Sequence, residues 1–268
     1  MTLCDLPCNS PETDTDPTLN LPEGVPGLRS YYLYLSSSCN LRCRHCWITP
    51  EYEGGVPQPG KVIDPEVLHQ AVLEGKELGL CSAKLTGGEP MLHPRFREIV
   101  DMLTAEGIAM NMETNGTLMT REMAEYLKIH SKVDFVSVSI DSPVSSEHDT
   151  FRGVKGAFDA TLKGLDAMVD AGYKNCQVIM AVHKGNRHQI GDVISLAHAH
   201  GAGTVKLNPV TRTGRGIGMH ERGEALGLEE YLALAQEVNK ELIPSSPIPV
   251  LMSMPQALTP FSELWRTR

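Results

Sequence analysis

The 268-residue sequence lacks long apolar runs and has no concentration of basic residues. No segment approaches the roughly 20 consecutive apolar residues that span a bilayer, and residues 1–18, acidic and polar, do not form a basic-then-apolar signal peptide. A net charge of -9 and a pI near 5.6 argue against a nucleic-acid partner held mainly by phosphate contacts. We therefore expect a cytoplasmic protein with no nucleic-acid partner and no membrane partner.

Metal-ligand patterns are also scarce, with one exception. The histidines show no spacing such as H-E-x-x-H, and no cysteine follows Cys176. Of the seven cysteines, however, Cys39, Cys43 and Cys46 fall within eight residues. This clustering is typical of metal ligation in a reducing compartment rather than of a disulfide framework.

Short β-rich runs alternate with amphipathic helical segments along most of the chain. The pattern predicts strands at 31–35, 83–86, 108–113, 135–140, 177–182 and 204–208. It predicts helices at 65–78, 95–105, 121–129, 157–171, 188–200 and 228–242. This repeat predicts an α/β fold with a parallel sheet, although periodicity alone does not separate an open doubly wound sheet from a partial barrel.

The flanking segments differ in composition from this alternating region. Residues 1–29 are rich in Pro, Thr, Asp and Gly, so we predict a loosely ordered leader, then a core domain over 30–243. Residues 244–268 begin with a Pro/Ser-rich run and are predicted as a linker or truncated extension. Two helix starts are also predicted, with Asp64 as an N-cap before Pro65 and a capping box formed by Asn186 and Gln189.

The cysteine triad directly follows the first predicted strand, so its thiols project from a strand's carboxyl end, where barrel active sites lie. Four-cysteine ligation is the pattern for [4Fe-4S] clusters that only carry electrons. Three thiolates leave one iron open for a substrate or reagent. The alternative is a zinc site with His45 or a remote residue as fourth ligand, but neither Cys81 nor Cys176 offers the second close ligand pair of a zinc ribbon.

Four further motifs accompany the triad: TGGEP at 86–90, TNG at 114–116, SID at 139–141 and HDTFRG at 148–153. Together with C-x3-C-x2-C they resemble the radical S-adenosylmethionine (radical SAM) superfamily over about residues 32–216. The later part is similar to the SPASM-type branch of peptide maturases and anaerobic sulfatase-maturing enzymes. That branch usually continues into a C-terminal cysteine-rich domain, so the sequence indicates either a single-cluster enzyme or a piece of a longer protein.

The resemblance implies a partial (β/α)6 TIM-like barrel that holds one [4Fe-4S] cluster on Cys39, Cys43 and Cys46 and binds S-adenosylmethionine as cofactor. It implies cofactor contacts by eight residues, namely His45, Gly87, Gly88, Glu89, Asn115, Ser139, Arg152 and Leu207. No side chain is assigned a catalytic role.

Local chemistry is compatible with several of these roles. Gly87 and Gly88 permit a close backbone approach, and the carboxylate of Glu89 suits an ammonium group. Ser139 and Asp141 alternate at a strand end, so both point the same way and suit a ribose. Plain turn chemistry is the alternative for the Asn-Gly pair at 115–116.

Two cations follow the last predicted strand of the core. Lys206 and Arg215 could face a substrate or the cofactor's carboxylate. An exposed cation on a loop is more often simply solvated, so neither is included among the predicted site residues.

The resemblance also implies a reaction. The reduced cluster donates one electron to the sulfonium, and the resulting 5′-deoxyadenosyl radical abstracts hydrogen from a substrate, here predicted to be a ribosomally made peptide. An electron donor such as flavodoxin or ferredoxin is implied as partner. One alternative is a cofactor-biosynthesis enzyme acting on a nucleotide or tetrapyrrole. A non-catalytic iron-sulfur or zinc-binding protein is the other, against which the three-thiolate count argues.

Overall fold

The computed structural model describes residues 21–22, 25–53 and 56–252. Within these ranges it contains nine strands: β1 (Ser30–Ser36), β2 (Tyr52–Glu53), β3 (Val56–Pro57), β4 (Ser82–Gly87), β5 (Ala109–Thr114), β6 (Val133–Ser139), β7 (Gln177–Val182), β8 (Thr204–Pro209) and β9 (Val250–Met252). Seven pair in parallel in the order β1-β4-β5-β6-β7-β8-β9, while β2 and β3 form a separate antiparallel pair. Among the described residues, β1 and β9 are the edges of this sheet, so the barrel is partial there.

Helices connect these strands. The same ranges contain α1 (Pro65–Glu77), α2 (Phe96–Ala105), α3 (Arg121–His130), α4 (Ser145–Arg152), α5 (Ala157–Asp170), α6 (Ile190–Ala199), α7 (Gly216–Glu221), α8 (Leu228–Glu237) and α9 (Ile243–Ser245). The six predicted strands and six predicted helices are confirmed, with α8 continuing as a π-helical turn. The sequence did not predict α4, α7 or the short α9. None of the described helices is both long and apolar enough to cross a membrane.

The sheet extends past residue 243, into the segment predicted as a linker or extension. β9 pairs with β8 through Val205–Val250, Lys206–Leu251 and Leu207–Met252. Its three residues directly follow Pro249 and are too few to show a periodic pattern. Residues 1–20 and 253–268 lie outside the described residues, so the division into leader, core and extension stays a prediction.

The two faces of the sheet differ in polarity. Alternate strand residues such as Leu85, Met112 and Val138 are fully buried in the main hydrophobic core, which also includes apolar residues of the helices. The positions between them, such as Lys84 and Glu113, are half-buried and polar. Successive side chains in a strand point to opposite faces. The face opposite the helices, here called the inner face, is therefore largely polar.

The two predicted helix starts have different outcomes. Asp64 caps α1, since its carboxylate accepts hydrogen bonds from the N–H groups of Glu66 (2.9 Å) and Val67 (3.1 Å). The capping box at Asn186 is wrong. Its buried amide nitrogen donates instead to the carbonyl oxygens of Asp141 (2.9 Å) and Ala181 (3.0 Å). Asn186 therefore ties the carboxyl ends of β6 and β7 together.

The cap at Asp64 predicts a measurable effect on stability. We expect D64A to lower the free energy of unfolding by about 1 kcal/mol, because two N–H groups at the start of α1 lose their acceptor. D64N keeps a capping oxygen and serves as the control. Denaturant unfolding followed by circular dichroism measures both, and an equal loss in D64A and D64N would contradict the capping role.

Candidate active site at the cysteine loop

A cavity of about 930 Å³ lies at the carboxyl ends of the parallel strands. Its volume is in the range of small-molecule and cofactor sites. Nine of the eleven predicted site residues line it: Cys39, Cys43, His45, Cys46, Gly87, Gly88, Asn115, Ser139 and Arg152. The structure therefore brings together residues contributed by four different strand ends and by α4.

Two predicted contacts do not line this cavity. Glu89 is fully buried behind its wall, where its carboxylate accepts hydrogen bonds from the hydroxyl of Thr114 (2.9 Å) and the N–H of Asn115 (2.8 Å). Leu207 points from β8 into the main core, because its neighbours Lys206 and Asn208 occupy the opposite face. Glu89 thus joins the loops after β4 and β5, and the Leu207 side chain makes no apolar contact with the cavity.

The cysteine loop, residues 39–46, is held by hydrogen bonds from several elements. The hydroxyl of Tyr52 on β2 donates to the carbonyl oxygen of Cys39 (2.8 Å). The N–H groups of Arg42 and Arg44 donate to carbonyl oxygens at the end of α4, both at 2.9 Å. The carbonyl oxygen of Cys46 accepts a hydrogen bond, also 2.9 Å, from the loop after β8. These contacts fix the backbone of all three cysteines.

The thiols of the first two cysteines are buried, and that of Cys46 is half-buried. Burial raises the pKa of Cys39 to about 12 and also raises the pKa of Cys43. Both groups therefore hold protons in the metal-free protein, and binding of iron must release them. A guanidinium nitrogen of Arg152 lies 3.5 Å from the sulfur of Cys43, where a donor can tune the potential of a bound cluster.

Asn115 serves two purposes at once. Its side-chain Oδ1 atom accepts a hydrogen bond from the N–H of Thr117 (2.9 Å), which is turn chemistry. Its amide nitrogen donates to the side chain of Asn40 (2.8 Å) and points at the sulfur of Cys39 at 3.8 Å. The turn after β5 therefore also fixes the cysteine loop, so the two alternatives left by the sequence are compatible.

A buried ion pair supports the wall beneath Cys43. The guanidinium of Arg152 donates to the carboxylate of Asp141 at 2.5 Å, and the second carboxylate oxygen accepts the N–H of Ala181 at 2.8 Å. Burial by itself would raise the pKa of Asp141, but the charge of Arg152 and this hydrogen bond outweigh it, so the pKa is lowered. Asp141 is thus committed to positioning Arg152 and is not free for a ribose.

His45 belongs to an aromatic stack. Its ring lies parallel to that of Phe151 with centroids 4.8 Å apart, and Phe151 stacks in turn on His183 at 4.7 Å. Burial, followed by the positive charge of Arg152, lowers the pKa of His45 to about 4. The imidazole is therefore neutral at physiological pH. Its Nδ1 atom has no hydrogen-bond partner in the described part of the chain.

Gly87 and Gly88 are required by the chain itself. Gly87 has φ +131°, a conformation that side chains rarely adopt. A Cβ atom on Gly88 would lie 2.1 Å from the carbonyl oxygen of Ser38, immediately before the first cysteine. The glycine pair therefore allows the β4 loop to pack directly against the cysteine loop while also lining the cavity.

Comparison with protein families identifies this architecture. The model of the radical SAM superfamily matches residues 33–197, which include the cysteine loop and five of the seven parallel strands. The chain belongs to the radical SAM superfamily. This radical SAM chain is 32% identical over 212 residues to an AdoMet-dependent heme synthase of Nitratidesulfovibrio vulgaris, covering 79% of this chain and 55% of the relative.

A second relative has a different biological role. The antilisterial bacteriocin subtilosin biosynthesis protein AlbA of Bacillus subtilis is 32% identical over 219 residues, covering 80% of this chain and 47% of AlbA. The chain thus spans about half the length of the curated relatives it matches. Among solved structures, Streptococcus suis SuiB bound to its precursor peptide SuiA superposes with a TM-score of 0.71 at 17% identity, over 89% of this chain and 51% of SuiB. That likeness supports the TIM-like fold.

The radical SAM family uses a [4Fe-4S] cluster and S-adenosylmethionine, and the donors of this cavity fit both. Three thiols line it, whereas no three His, Cys, Asp or Glu side chains among residues 21–22, 25–53 and 56–252 are placed to hold one common metal ion. Cysteines around a cluster each bind a different iron. Beside the loop, Nε and one terminal nitrogen of Arg215 have no hydrogen-bond partner within those ranges and are available to a ligand.

Two features of this radical SAM site escaped the sequence predictions. The first is the positioning role of Asp141, whose signal was the SID motif at a strand end. The second is the participation of α8, from which Tyr231 lines the cavity, as does the neighbouring Leu226. No motif marks that helix, because its contribution depends on how the chain returns over the strand ends.

The close approach of Gly88 predicts a packing defect when a methyl group is added. We expect G88A to lower the free energy of unfolding by about 1–3 kcal/mol and to reduce the iron bound after anaerobic reconstitution, because the cysteine loop must move. G191A is the control, since a Cβ on Gly191 meets nothing within 4 Å. Iron binding by G88A equal to that of the unsubstituted protein would contradict the role of this contact.

Glu89 predicts a pH-dependent stability. Burial raises its pKa to about 7, against 4.5 for an ordinary glutamate. Above pH 4.5 the unfolded chain releases a proton that the folded chain keeps, so the contribution of Glu89 to stability is largest below pH 4.5 and decreases up to about pH 7. A glutamine at this position does not titrate.

The free energy of unfolding of the unsubstituted protein, relative to that of E89Q, should therefore fall by about 3 kcal/mol over this pH range. Denaturant unfolding of both metal-free proteins at several pH values measures it. E77Q, on the exposed side of α1, controls for the chemical change itself. A difference that is constant with pH would mean that Glu89 is already ionised in the folded protein.

Proposed function

We propose that the chain is a radical SAM enzyme that modifies a ribosomally made peptide. The observation that carries the radical SAM chemistry of this proposal is the set of three cysteines, which are the only cysteines among the described residues that line the cavity. A four-iron cluster held by three thiolates keeps one iron for an exogenous ligand. An electron-transfer cluster would instead be closed by four protein ligands.

The chain's own residues hold and orient what binds there. When bound, the cluster and S-adenosylmethionine supply a one-electron cleavage of a carbon-sulfur bond and a radical that abstracts hydrogen. Arg152 places a positive charge beside Cys43, and the neutral His45, within the cysteine loop and stacked on Phe151, lines the cavity. Apolar groups of Trp47, Leu226 and Tyr231 line the same cavity and reduce the access of water to it. An electron donor such as flavodoxin or ferredoxin completes the system.

The peptide substrate is supported by the similarity to AlbA, a bacteriocin biosynthesis protein. The second candidate is cofactor biosynthesis on a small molecule such as a nucleotide or tetrapyrrole, and the heme synthase of equal identity favours it. Identity alone therefore does not choose between these two substrate classes. A non-catalytic iron-sulfur or zinc-binding protein is the candidate of a different class.

Replacement of one cluster ligand tests the chemistry. After anaerobic reconstitution, we expect C43A to lose the four-iron chromophore and all reductive formation of 5′-deoxyadenosine, because two thiolates rarely retain the cluster. C176A is a matched control, since Cys176 is a buried free cysteine of the main core away from the cavity. Iron and sulfide analysis, absorbance, and product detection with and without dithionite give the readouts.

The anaerobically reconstituted protein also distinguishes the peptide-modifying enzyme from the cofactor-biosynthesis enzyme. Mass change of a precursor peptide, together with 5′-deoxyadenosine formation, supports the peptide-modifying enzyme. Turnover with a small-molecule precursor while every peptide stays unchanged would favour cofactor biosynthesis. Zinc alone in the purified protein, or a cluster whose spectrum S-adenosylmethionine does not alter, would contradict both enzymatic candidates.

A further inference from the structure

One cation on the inner face of the sheet has no hydrogen-bond or ion-pair partner in the part of the chain that the structure describes. Lys206 on β8 is half-buried, and its ammonium makes no hydrogen bond or ion pair within the described residues. Because it is half-buried, Lys206 is not the exposed, solvated loop cation that the sequence favours. A charged group on a half-buried side chain with no protein acceptor is stabilised when an anion pairs with it.

The register of the sheet places Lys206 beside the cavity. Ser139 on β6 pairs with Ile179 on β7, which pairs with Lys206 on β8, so the three residues form one row across the strands. Ser139 and Ile179 both line the cavity, as does Asn208, two residues further along β8. Since residues two apart in a strand share a face, Lys206 lies on the same face of the sheet, one step below the residues that line the cavity.

The charges around Lys206 are unbalanced. Across the inner face, Lys84 on β4 pairs with Glu113 on β5 at 2.5 Å, and the second carboxylate oxygen of Glu113 accepts from the hydroxyl of Thr86 at 3.4 Å. The ring of Tyr32 covers the ammonium of Lys84 at 5.4 Å. Glu113 is thus already satisfied, and among Lys84, Glu113 and Lys206 one positive charge is in excess.

Electrostatics at Lys206 agree with this geometry. Burial is the larger influence and the positive charge of Lys84 the next, and together they lower the pKa of Lys206, while Glu113 acts in the opposite direction. Lys84 and Glu113 stand on strands separated from β8 by at least two others in the sheet, so these charges act across the concave face. An anion bound at Lys206 would offset both the cost of burying its charge and the repulsion by Lys84.

We propose that Lys206 binds a carboxylate of the substrate and so selects peptides that carry one within reach of the cysteine loop. This inference rests on the proposed function and adds a specificity residue to it. The carboxylate comes either from an acidic side chain or from the C-terminus of the peptide. Lys206 acts here by binding, and no bond of the substrate is made or broken at it.

Binding without turnover tests the proposal. The holoenzyme, reconstituted with cluster and S-adenosylmethionine but without reductant, is dialysed against matched peptide libraries, and the retained peptides are quantified by mass spectrometry. One pair of libraries, amidated at the C-terminus, fixes an internal glutamate or glutamine. The other pair lacks acidic side chains and ends in a free acid or an amide. The two arms distinguish the source of the carboxylate.

We expect retention of the acid over its amide by about tenfold in one of these arms, as for a charge-assisted pair in a partly desolvated site. K206M should abolish that preference, and K206E should reverse it toward a library with a fixed lysine. K174M, the same change at an exposed lysine remote from the strand carboxyl ends, should keep it. Should K206M fail to load the cluster, K206Q and K206E decide in its place.

Two outcomes overturn the proposal: peptides are retained by the unsubstituted protein without a preference for the acid, or the preference is undiminished after Lys206 is replaced. If neither kind of peptide is retained or modified, the peptide-modifying function fails separately. Phenylpropionate and glutarate, each against its amide, then test Lys206 on its own. Acid retention that depends on Lys206 supports the carboxylate site with a small-molecule substrate, and its absence rejects the site.

Discussion

All seven strands of the main sheet run in the same direction, so their carboxyl ends meet at one edge. The cysteine loop leaves β1, the glycine pair ends β4, Asn115 follows β5 and Ser139 ends β6, and all of them line one cavity. An antiparallel strand in the middle of this sheet would send its loop to the opposite edge. The site is therefore a product of strand direction first and of side-chain chemistry second.

Within that frame, the buried pair of Asp141 and Arg152 connects otherwise separate elements. Asp141 follows β6 and accepts a hydrogen bond from β7, while Arg152 ends α4, contacts the sulfur of Cys43 and accepts a backbone hydrogen bond from the cysteine loop. Loss of either partner would leave an uncompensated charge in a buried position, a costly defect. The geometry around one thiol is thus coupled to three elements at once.

The sequence was sufficient for the parts of the fold that are local. β7 has the predicted bounds because its apolar run is continuous, and the cysteine and glycine motifs are short enough to be recognised without tertiary information. α4 was missed because Ser145–Arg152 is mostly polar. The sequence did not show that Glu89 and Leu207 lie outside the cavity lining, since a side chain's direction depends on strand register and on partners such as Thr114, distant along the chain. Their roles as cofactor contacts stay predictions.

The unequal faces of the sheet have a consequence for how such a scaffold can diversify. The apolar side chains that stabilise the strands point outward to the helices, while positions on the opposite, inner face, such as Lys84, Glu113 and Lys206, are not part of the main core. Substitutions that retune selectivity at these inward positions are therefore largely uncoupled from the cost of folding. The inward-facing side chains can therefore change to suit a new substrate while the hydrophobic core between the sheet and the helices stays the same.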